Sequence, residues 1–253
     1  MNKMIRKPLM TMLSLGYGIN NTITAAENKG LRVLMYHSIG SKVPGDTLSL
    51  YSVSSDTFEK HMNLLVKEFP SKTVPLSVHN DEGIAITFDD GYKDNLTIAA
   101  PLLLERNIPF TVFVAPSLIT SGDKRYLDKF TLKELSHYPN VTIGAHGYNH
   151  IKLTELDENM ILKELSDSKH FLEDIIGMPV NTMSYPHGGR NKRIEELVKY
   201  AGYHLAASSN AGFNTSDLNP YCLKRTDIWT DDSVWDFRSK LRGDYDWLAR
   251  FTK

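Results

Sequence analysis

Cysteine is almost absent from this sequence, since Cys222 is the only one among 253 residues. The chain therefore cannot form an internal disulfide, and any transition metal would have to be bound by imidazole and carboxylate groups instead of a thiolate cluster. An excess of one charge is lacking too, because 29 basic residues accompany 30 acidic ones and no basic block occurs. This balance argues against nucleic acid as a partner.

A long hydrophobic run is also missing near the N-terminus. The apolar stretch over residues 8–19 is shorter than the ~20 residues that a spanning helix needs, and Gly16 and Gly18 interrupt it. Three basic residues precede this stretch and a Thr-Ala-Ala sequence follows it, a pattern typical of a removable export signal over residues 1–26. We therefore expect an exported protein, secreted, cell-surface or periplasmic, without a permanent membrane span. The alternative is that residues 1–26 are the frayed N-terminus of a cytosolic protein.

The remaining residues, 27–253, contain no repeat, low-complexity tract or long linker, so a single domain is expected. Short apolar β-branched runs alternate with amphipathic segments, a pattern typical of a parallel sheet or barrel built from strand-helix units. The predicted strands lie near Leu31–Tyr36, Gly83–Phe88, Phe110–Ala115, Val141–Ala145, Val180–Tyr185, Tyr203–Ala207 and Tyr221–Ile228. The predicted helices lie at about Asp56–Phe69, Asn95–Arg106, Leu132–His137, Glu158–Ile176, Lys192–Ala201 and Ser233–Leu241. The irregular stretch over residues 38–49 is expected to border a substrate.

The predicted strand ends carry most of the chemically useful side chains, as is typical of parallel α/β folds. Asp89 and Asp90 directly follow the apolar strand Gly83–Phe88. Two adjacent carboxylates in such a place repel each other unless a cation compensates them. The alternative is structural, because the two acids could begin a turn at Gly91 that leads into the next helix.

Two histidines follow the fourth predicted strand. His146 and His150 are spaced i, i+4, so that in a helical turn both rings reach one point, as in many zinc sites. The spacing alone is weak evidence, because nine histidines in this length produce roughly 0.3 such pairs by chance. With Asp90 they would form a three-ligand set that leaves positions open for water and substrate, which is typical of a catalytic ion. Zinc is the first candidate, and cobalt, nickel or iron suit the same ligands nearly as well.

Around these residues the sequence resembles the polysaccharide deacetylases of the NodB-homology group, carbohydrate esterase family four, over essentially the whole chain after residue 30. The stretch TFDDGY at residues 87–92 resembles the family motif that supplies the general base, here Asp89, and a metal ligand, here Asp90. The stretch HGYNH at residues 146–150 resembles the motif that supplies two metal-binding histidines. The resemblance implies a distorted (β/α) barrel of about seven parallel strands that hydrolyses N-acetyl groups on a polysaccharide.

The third family motif, an Arg-Pro-Pro-Tyr-Gly type sequence, is altered to SYPHG at residues 184–188. Serine replaces the arginine that pairs with the base in the family, and Arg190 or Arg225 could take over that role. The backbone N–H of His187 is expected to help bind the oxyanion, because this role needs only the main chain. The late histidine motif that carries the general acid in many members is absent.

The stretch MYHS at residues 35–38 resembles the opening of a sub-branch, the biofilm poly-β-1,6-N-acetylglucosamine deacetylases, and makes His37 the candidate general acid. This likeness implies poly-β-1,6-N-acetylglucosamine as the substrate, with exopolysaccharide synthesis or export proteins as candidate partners. The residues expected to contact the substrate are Tyr92, Tyr185, Pro186 and Trp229. The tryptophan could stack on a sugar, although ordinary packing would explain its position equally well.

Two other functions fit the same residues. The first two motifs do not determine the polymer, so a deacetylase of peptidoglycan, chitin oligomers or acetylated xylan is an alternative. A carbohydrate-binding protein that keeps the barrel but performs no chemistry is an alternative from another class, favoured by the altered third motif and the missing late histidine. The complete set of two aspartates and two histidines argues against this second alternative.

Overall fold

The computed structural model describes residues 30–77, 82–215, 217 and 219–247. The predicted export signal over residues 1–26 lies outside the described residues. The strands are β1 (Leu31–Tyr36), β2 (Ser38–Ile39), β3 (Ser52–Val53), β4 (Gly83–Phe88), β5 (Phe110–Val114), β6 (Val141–Ala145), β7 (Thr182–Ser184), β8 (Leu205–Ala207) and β9 (Thr226–Asp227). The α-helices are α1 (Ser55–Glu68), α2 (Ala100–Glu105), α3 (Pro116–Thr120), α4 (Lys129–Ser136), α5 (Glu158–Ile176), α6 (Lys192–Tyr200) and α7 (Val234–Arg242). None of the described helices combines the length and apolar character that a membrane crossing requires.

Seven of these strands form one sheet in the order β8-β7-β6-β5-β4-β1-β9, and every neighbouring pair is parallel. β1 and β4 pair over their whole length, from Leu31 opposite Gly83 to Tyr36 opposite Phe88, so both strands end at the same edge. All residues of β1 and β5 are buried, as expected for strands that are covered on both faces. The prediction of about seven parallel strands in an α/β fold is confirmed.

The segment around Leu223 brings the two ends of the sheet together. Its backbone exchanges hydrogen bonds with the end of β8, where it forms an isolated parallel bridge. A few residues later the same segment pairs with β1 as strand β9. The predicted strand Tyr221–Ile228 is therefore divided between two partners, which leaves only Thr226–Asp227 as a regular strand and curls the sheet into a distorted barrel.

Two other predicted strands begin later than expected. Val180 bonds through both of its backbone groups to side chains of α5, so β7 begins only two residues further along. Tyr203 N–H donates to the carbonyl oxygen of Val198 in α6, and β8 also begins two residues further along. In both cases the backbone bonds to the preceding helix and not to the neighbouring strand, which the local sequence does not reveal.

The helix termini follow their capping residues. α5 has the predicted bounds, since Asp157 caps its start and Gly177 ends it with a left-handed φ of +72°. α4 begins three residues before its predicted start because Asp128 forms a capping box there. The predicted helix Asn95–Arg106 begins instead with a π-helical turn before α2, since Pro101 has no N–H for a regular hydrogen bond to the preceding turn.

Three short elements beside the end of the barrel, β2, β3 and α3, are absent from the sequence prediction. The stretch expected to be irregular over residues 38–49 starts with β2, which pairs in parallel with β3. Ser38 Oγ donates to Asp94 Oδ2 at 2.8 Å, a buried bond that fastens this stretch to the segment after β4. α3 directly follows β5 and is also missing from the predicted helices. The loop between β2 and β3 is thereby held over the carboxyl ends of the central strands.

Candidate functional site

The carboxyl ends of β1, β4, β6 and β9 meet around a cavity of about 530 Å³. The predicted site residues on its wall are His37, Asp89, Asp90, His146, His150, Tyr185, His187 and Arg225. The β2–β3 loop forms one side of the cavity with residues 43–46 and Tyr51, as expected for a substrate-bordering stretch. The parallel register thus collects side chains that lie far apart in the sequence.

Asp90, His146 and His150, here called the metal cluster, have ligand atoms that all lie within 4.8 Å of one another. Asp90 Oδ1 lies 3.4 Å from His146 Nε2 and 3.1 Å from His150 Nε2. Zinc bonds of about 2.0–2.1 Å in tetrahedral geometry place neighbouring ligand atoms about 3.3 Å apart. Asp90 Oδ1 is buried and accepts no hydrogen bond from the part of the chain that the structure describes. The three groups therefore fit a divalent cation.

The two histidines do not lie in a helical turn, so that part of the prediction is wrong. β6 ends at Ala145, and the next five residues form an irregular loop. Gly147 and His150 both have left-handed backbone angles, with φ of +63° and +55°. This reversal of the chain, and not the 3.6-residue period, turns the second ring back towards the first.

His146 is oriented by Ser184, the residue that stands where the related motif has arginine. His146 Nδ1 lies 3.0 Å from Ser184 O and 2.6 Å from Ser184 Oγ. A carbonyl oxygen can only accept, so Nδ1 carries the proton and Nε2 presents its lone pair to the metal cluster. Burial opposes protonation, but Asp89 and Asp90 raise the pKa of His146 above its usual value. The site therefore attracts positive charge.

Asp89 lies beside the metal cluster but belongs to a different pair. Arg225 donates from Nη1 to Oδ1 at 2.7 Å and from Nη2 to Oδ2 at 2.8 Å, a bidentate bond between side chains that are almost fully buried. Burial works to raise the pKa of Asp89, but Arg225 and His146 keep it below the usual value. Asp89 is thus an anionic carboxylate at neutral pH. Its Oδ2 lies 4.0 Å from His146 Nε2, on the side of the metal cluster.

Of the two arginines predicted as partners of Asp89, only Arg225 reaches it. Arg190 does not line the cavity, and its Nη1 donates to Glu195 Oε1 at 2.6 Å near the start of α6. The prediction of Arg190 is therefore wrong. Arg225 is 136 residues from Asp89 in the sequence, and it reaches the carboxylate because the segment that precedes β9 closes the barrel.

His37 follows β1 and has an acidic neighbour, Asp227, to which the sequence prediction assigns no role. Asp227 pairs in register with Met35, two residues before His37, and alternate residues of an extended chain share a face. His37 Nδ1 and Asp227 Oδ1 are both buried and without a hydrogen bond to any described residue. Burial raises the pKa of Asp227 although His37 opposes the shift. The ring of Tyr51 packs on His37 with centroids 4.5 Å apart.

His187 lies at the edge of the cavity in a left-handed conformation with φ of +54°. Its ring Nε2 lies 3.2 Å from the carbonyl oxygen of His150, and the two rings pack with centroids 4.5 Å apart. Its backbone N–H donates no hydrogen bond to any residue that the structure describes. Tyr185 also lines the cavity, and its hydroxyl group donates to Tyr221 O at 2.8 Å.

Three of the predicted substrate contacts lie elsewhere. Tyr92 is fully buried and packs against Tyr126, with ring centroids 4.9 Å apart. Pro186 is buried against Gly147 and is not part of the cavity wall. The ring of Trp229 faces the Lys240 ammonium, 3.7 Å from the ring centroid, and is also outside this wall. Tyr92 and Pro186 are buried, so the prediction that they contact the substrate is wrong. Trp229 is half-buried, and its contact with a sugar stays a prediction.

Comparison with known proteins agrees with this geometry. Residues 77–206, about half of the chain, match the model of the polysaccharide deacetylase family. The chain therefore belongs to this family, whose members are metal-dependent hydrolases of N-acetyl amide bonds. The matched stretch contains Asp89 and the whole metal cluster, whereas His37 and Arg225 lie outside it and join the site only through the fold.

Two curated relatives cover most of the chain. YxkH of Bacillus subtilis (strain 168), named provisionally as a polysaccharide deacetylase, is 29% identical over 207 residues, which are 78% of this chain and 71% of the relative. The poly-β-1,6-N-acetyl-D-glucosamine N-deacetylase of Staphylococcus aureus (strain MSSA476) is 26% identical over 201 residues, which are 72% of this chain and 69% of the relative. Both likenesses support the assignment to the family.

Solved structures show the same fold. The Streptococcus pyogenes deacetylase PplD in complex with acetate has a TM-score of 0.71 and 22% identity, over 83% of this chain and 97% of that one. BC0361, a polysaccharide deacetylase from Bacillus cereus, has a TM-score of 0.73 and 24% identity, over 84% of this chain and 69% of that one. These superpositions confirm the predicted barrel of the deacetylase type.

Proposed function

We propose that this polysaccharide deacetylase acts on poly-β-1,6-N-acetylglucosamine, with Asp89 as the general base beside the metal cluster. The observation that carries the proposal is the contact between a three-ligand cluster and a buried carboxylate that Arg225 keeps anionic. A cation site alone could be structural, whereas a cation site next to an unliganded base in a cavity is suited to hydrolysis. The S. aureus relative, 26% identical over 201 residues, supports this polymer.

The metal cluster would hold one divalent ion, and zinc is the first candidate because the Oδ1 to Nε2 distances of 3.1 and 3.4 Å suit tetrahedral ligands. When bound, such an ion polarises the amide carbonyl and lowers the pKa of water. Asp90 would supply the only anionic ligand. The two imidazoles would bind through Nε2, as the Ser184 contacts of His146 indicate.

Asp89 would remove the proton of the attacking water. The carboxylate must be anionic and fixed in direction for this task, and the bidentate bond from Arg225 provides both properties. Oδ1 accepts from Arg225 and also from Ser184 Oγ at 3.3 Å, whereas Oδ2 accepts one arginine N–H and keeps a free lone pair. Oδ2 faces the metal cluster and is the candidate atom that receives the proton.

His37 would donate the proton that the departing amine requires, since its ring lies on the cavity wall and belongs neither to the metal cluster nor to the pair of Asp89 and Arg225. Asp227 lies close enough for its charge to interact with the His37 ring, and Tyr51 packs on the face of that ring. The unbonded backbone N–H of His187 would donate to the oxyanion that forms on the acetyl carbonyl. The products are acetate and a glucosamine unit with a free amine.

The product of this reaction suggests where the enzyme acts. Each released amine is protonated at neutral pH, so a neutral polymer becomes cationic and binds anionic surfaces more strongly. Such a change is useful outside the cell, in agreement with the export signal expected over residues 1–26. We therefore propose that the enzyme is exported and acts together with proteins that synthesise or export the polymer.

The proposal is tested by acetate release from a panel of acetylated glycans, measured with and without a chelator. Poly-β-1,6-N-acetylglucosamine should give the highest kcat/KM, and chelation should remove activity that added zinc restores. The panel should include peptidoglycan, chitin oligomers and acetylated xylan. A higher kcat/KM on one of these glycans would mean that it is the substrate, and not poly-β-1,6-N-acetylglucosamine. Binding of saccharide without acetate release from any of them would favour a non-catalytic binding protein.

Substitution of His37 by Gln is expected to lower kcat by roughly 10²-fold or more, because a positioned general acid contributes about 10²–10⁴-fold. The ion content should not change, since His37 is outside the metal cluster. Steady-state kinetics and metal analysis on the same preparation check both expectations. His137→Gln is the matched control, because His137 is exposed and outside the cavity wall. Wild-type kcat in His37→Gln would place the acid elsewhere.

A further inference from the structure

The loop that joins the two histidines of the metal cluster has an unfavourable backbone. Residues 147–149 form no regular structure, and His150 has a φ of +55°, a left-handed conformation that costs free energy for a residue other than glycine. The position of His150 Nε2, 3.1 Å from Asp90 Oδ1, depends on this conformation. Something outside the loop must therefore stabilise it.

Helix α5 supplies that support through Glu164. Its Oε2 accepts hydrogen bonds from Tyr148 N at 2.9 Å and Asn149 N at 2.8 Å, and its Oε1 accepts from the side-chain amide of Asn149. One turn further along the helix, Ser168 Oγ donates to Gly147 O at 3.0 Å. Every residue between the two metal-cluster histidines is thus bonded to the same face of α5.

Glu164 is itself costly to place. Its side chain is only 7% exposed, and a buried carboxylate is unfavourable unless charged or hydrogen-bonding groups compensate it. The three hydrogen bonds that Glu164 accepts within the described chain all come from this loop. The free-energy cost of burying Glu164 is therefore offset by its bonds to the loop. Without Glu164, two backbone N–H groups of the loop would lose their acceptor.

On the basis of the proposed function, we infer that Glu164 is a positioning residue that sets the affinity of the metal cluster by holding the Gly147–Asn149 loop. It touches neither the ion nor the substrate. Its loss allows His150 to leave the left-handed conformation and turn away from Asp90. Ion binding then has to restore the conformation, and the affinity falls by the free energy of that step.

Glu173 offers a matched control on the same helix. Its Oε1 accepts a hydrogen bond from Val180 N at 2.9 Å in the loop that follows α5, and it pairs with Lys169 at 3.2 Å. Glu173 therefore also supports a loop backbone, but one that carries no residue of the metal cluster. Replacement of Glu173 should lower stability without changing the ion site.

The test measures zinc affinity of the full-length protein after chelation, for the wild type, Glu164→Ala, Glu164→Gln and Glu173→Gln, at a temperature where circular dichroism shows each variant folded. Glu164→Ala should bind zinc about 10–100-fold more weakly, the range found for residues that orient metal ligands. Glu164→Gln, which keeps one acceptor oxygen, should show an intermediate loss. With cobalt as the probe, both Glu164 variants should change the visible absorption spectrum, and Glu173→Gln should match the wild type.

The outcomes separate the inference from the proposed function. If the wild type binds neither zinc nor cobalt, the assignment of the metal site itself is refuted, independently of the role of Glu164. A wild type that binds the ion together with Glu164 variants of unchanged affinity and spectrum would overturn the positioning role. An equal loss of affinity in Glu173→Gln would also overturn it, because the effect would then reflect general destabilisation. If Glu164→Ala does not fold, Glu164→Gln decides by the same two measurements.

Discussion

Replacing His146 with Ala is expected to remove the bound divalent ion and to lower acetate release by on the order of 10³-fold or more, since polarisation of the amide is lost with the ion. His146 supplies one of three ligand atoms and is 2% exposed, so no other side chain can move into its place without rearranging the strand ends. Asp90 and His150 alone form a two-ligand site of much lower affinity. Metal analysis and acetate release on the same sample measure both effects.

The effect on stability provides an independent measurement of the same site. An ion that binds only the folded protein raises the free energy of unfolding according to its concentration and affinity. Added zinc should therefore raise the melting temperature of the wild type and leave that of His146→Ala unchanged. This comparison does not depend on the substrate.

The neighbouring histidine is the matched control for this prediction. The ring of His187 packs on His150 with centroids 4.5 Å apart and lines the same cavity, but it is not part of the metal cluster. His187→Ala should keep the stoichiometric ion. Full ion content and wild-type turnover in His146→Ala would contradict the assignment of the cluster, and loss of the ion from His187→Ala would mean that the ligand set is larger.

The strand ends were the most predictable part of this protein. Apolar runs such as Gly83–Phe88 identify a covered strand, and the parallel topology then places Asp89 and Asp90 at the same edge as the residues after β6. Local sequence is sufficient here because burial of both faces requires a continuous apolar run. The convergence of the metal cluster follows from this register, even though the helical turn expected between His146 and His150 does not form.

The partners of these residues could not be predicted from local sequence. Arg190 and Arg225 are equivalent as candidates in the sequence, and only closure of the barrel near β9 decides that Arg225 reaches Asp89. In the sequence, Ser184 stands where the family motif has arginine, which indicates only the loss of the partner of the base. In the structure its backbone and hydroxyl oxygens orient His146. Both outcomes depend on contacts between residues more than 30 positions apart, which the spacing of residue types does not encode.

Aromatic residues were the least predictable. Tyr92 follows the two acids directly and Trp229 lies shortly after Asp227, so both are near the site in sequence. In the fold Tyr92 points into the core against Tyr126, and Trp229 packs on Lys240. Aromatic rings occur both in hydrophobic cores and on surfaces that stack against sugars, and the sequence does not show which of the two environments a ring occupies.

Replacing Asp89 with Asn is expected to lower kcat by about 10³-fold, within the range that a general base contributes, while the ion remains bound. Asn has nearly the same shape and can still accept one hydrogen bond from Arg225, but it cannot take a proton from water at neutral pH. The metal cluster does not include Asp89, so metal analysis should give the wild-type ion content. A residual kcat above about one tenth of the wild type would contradict the role of Asp89, given that range.

The same substitution also tests the pair with Arg225. Arg225 is 1% exposed, and without its anion it is a buried, uncompensated charge, which costs about 3 kcal/mol or more of unfolding free energy. Adding Arg225→Met should recover much of that loss, because an apolar side chain fits the buried position and removes the unpaired charge. It should not recover kcat, since the base is still missing. Urea unfolding and acetate release on Asp89→Asn, Arg225→Met and the double variant therefore separate chemistry from stability: recovery of both quantities in the double variant would mean that Asp89 acts only by holding Arg225.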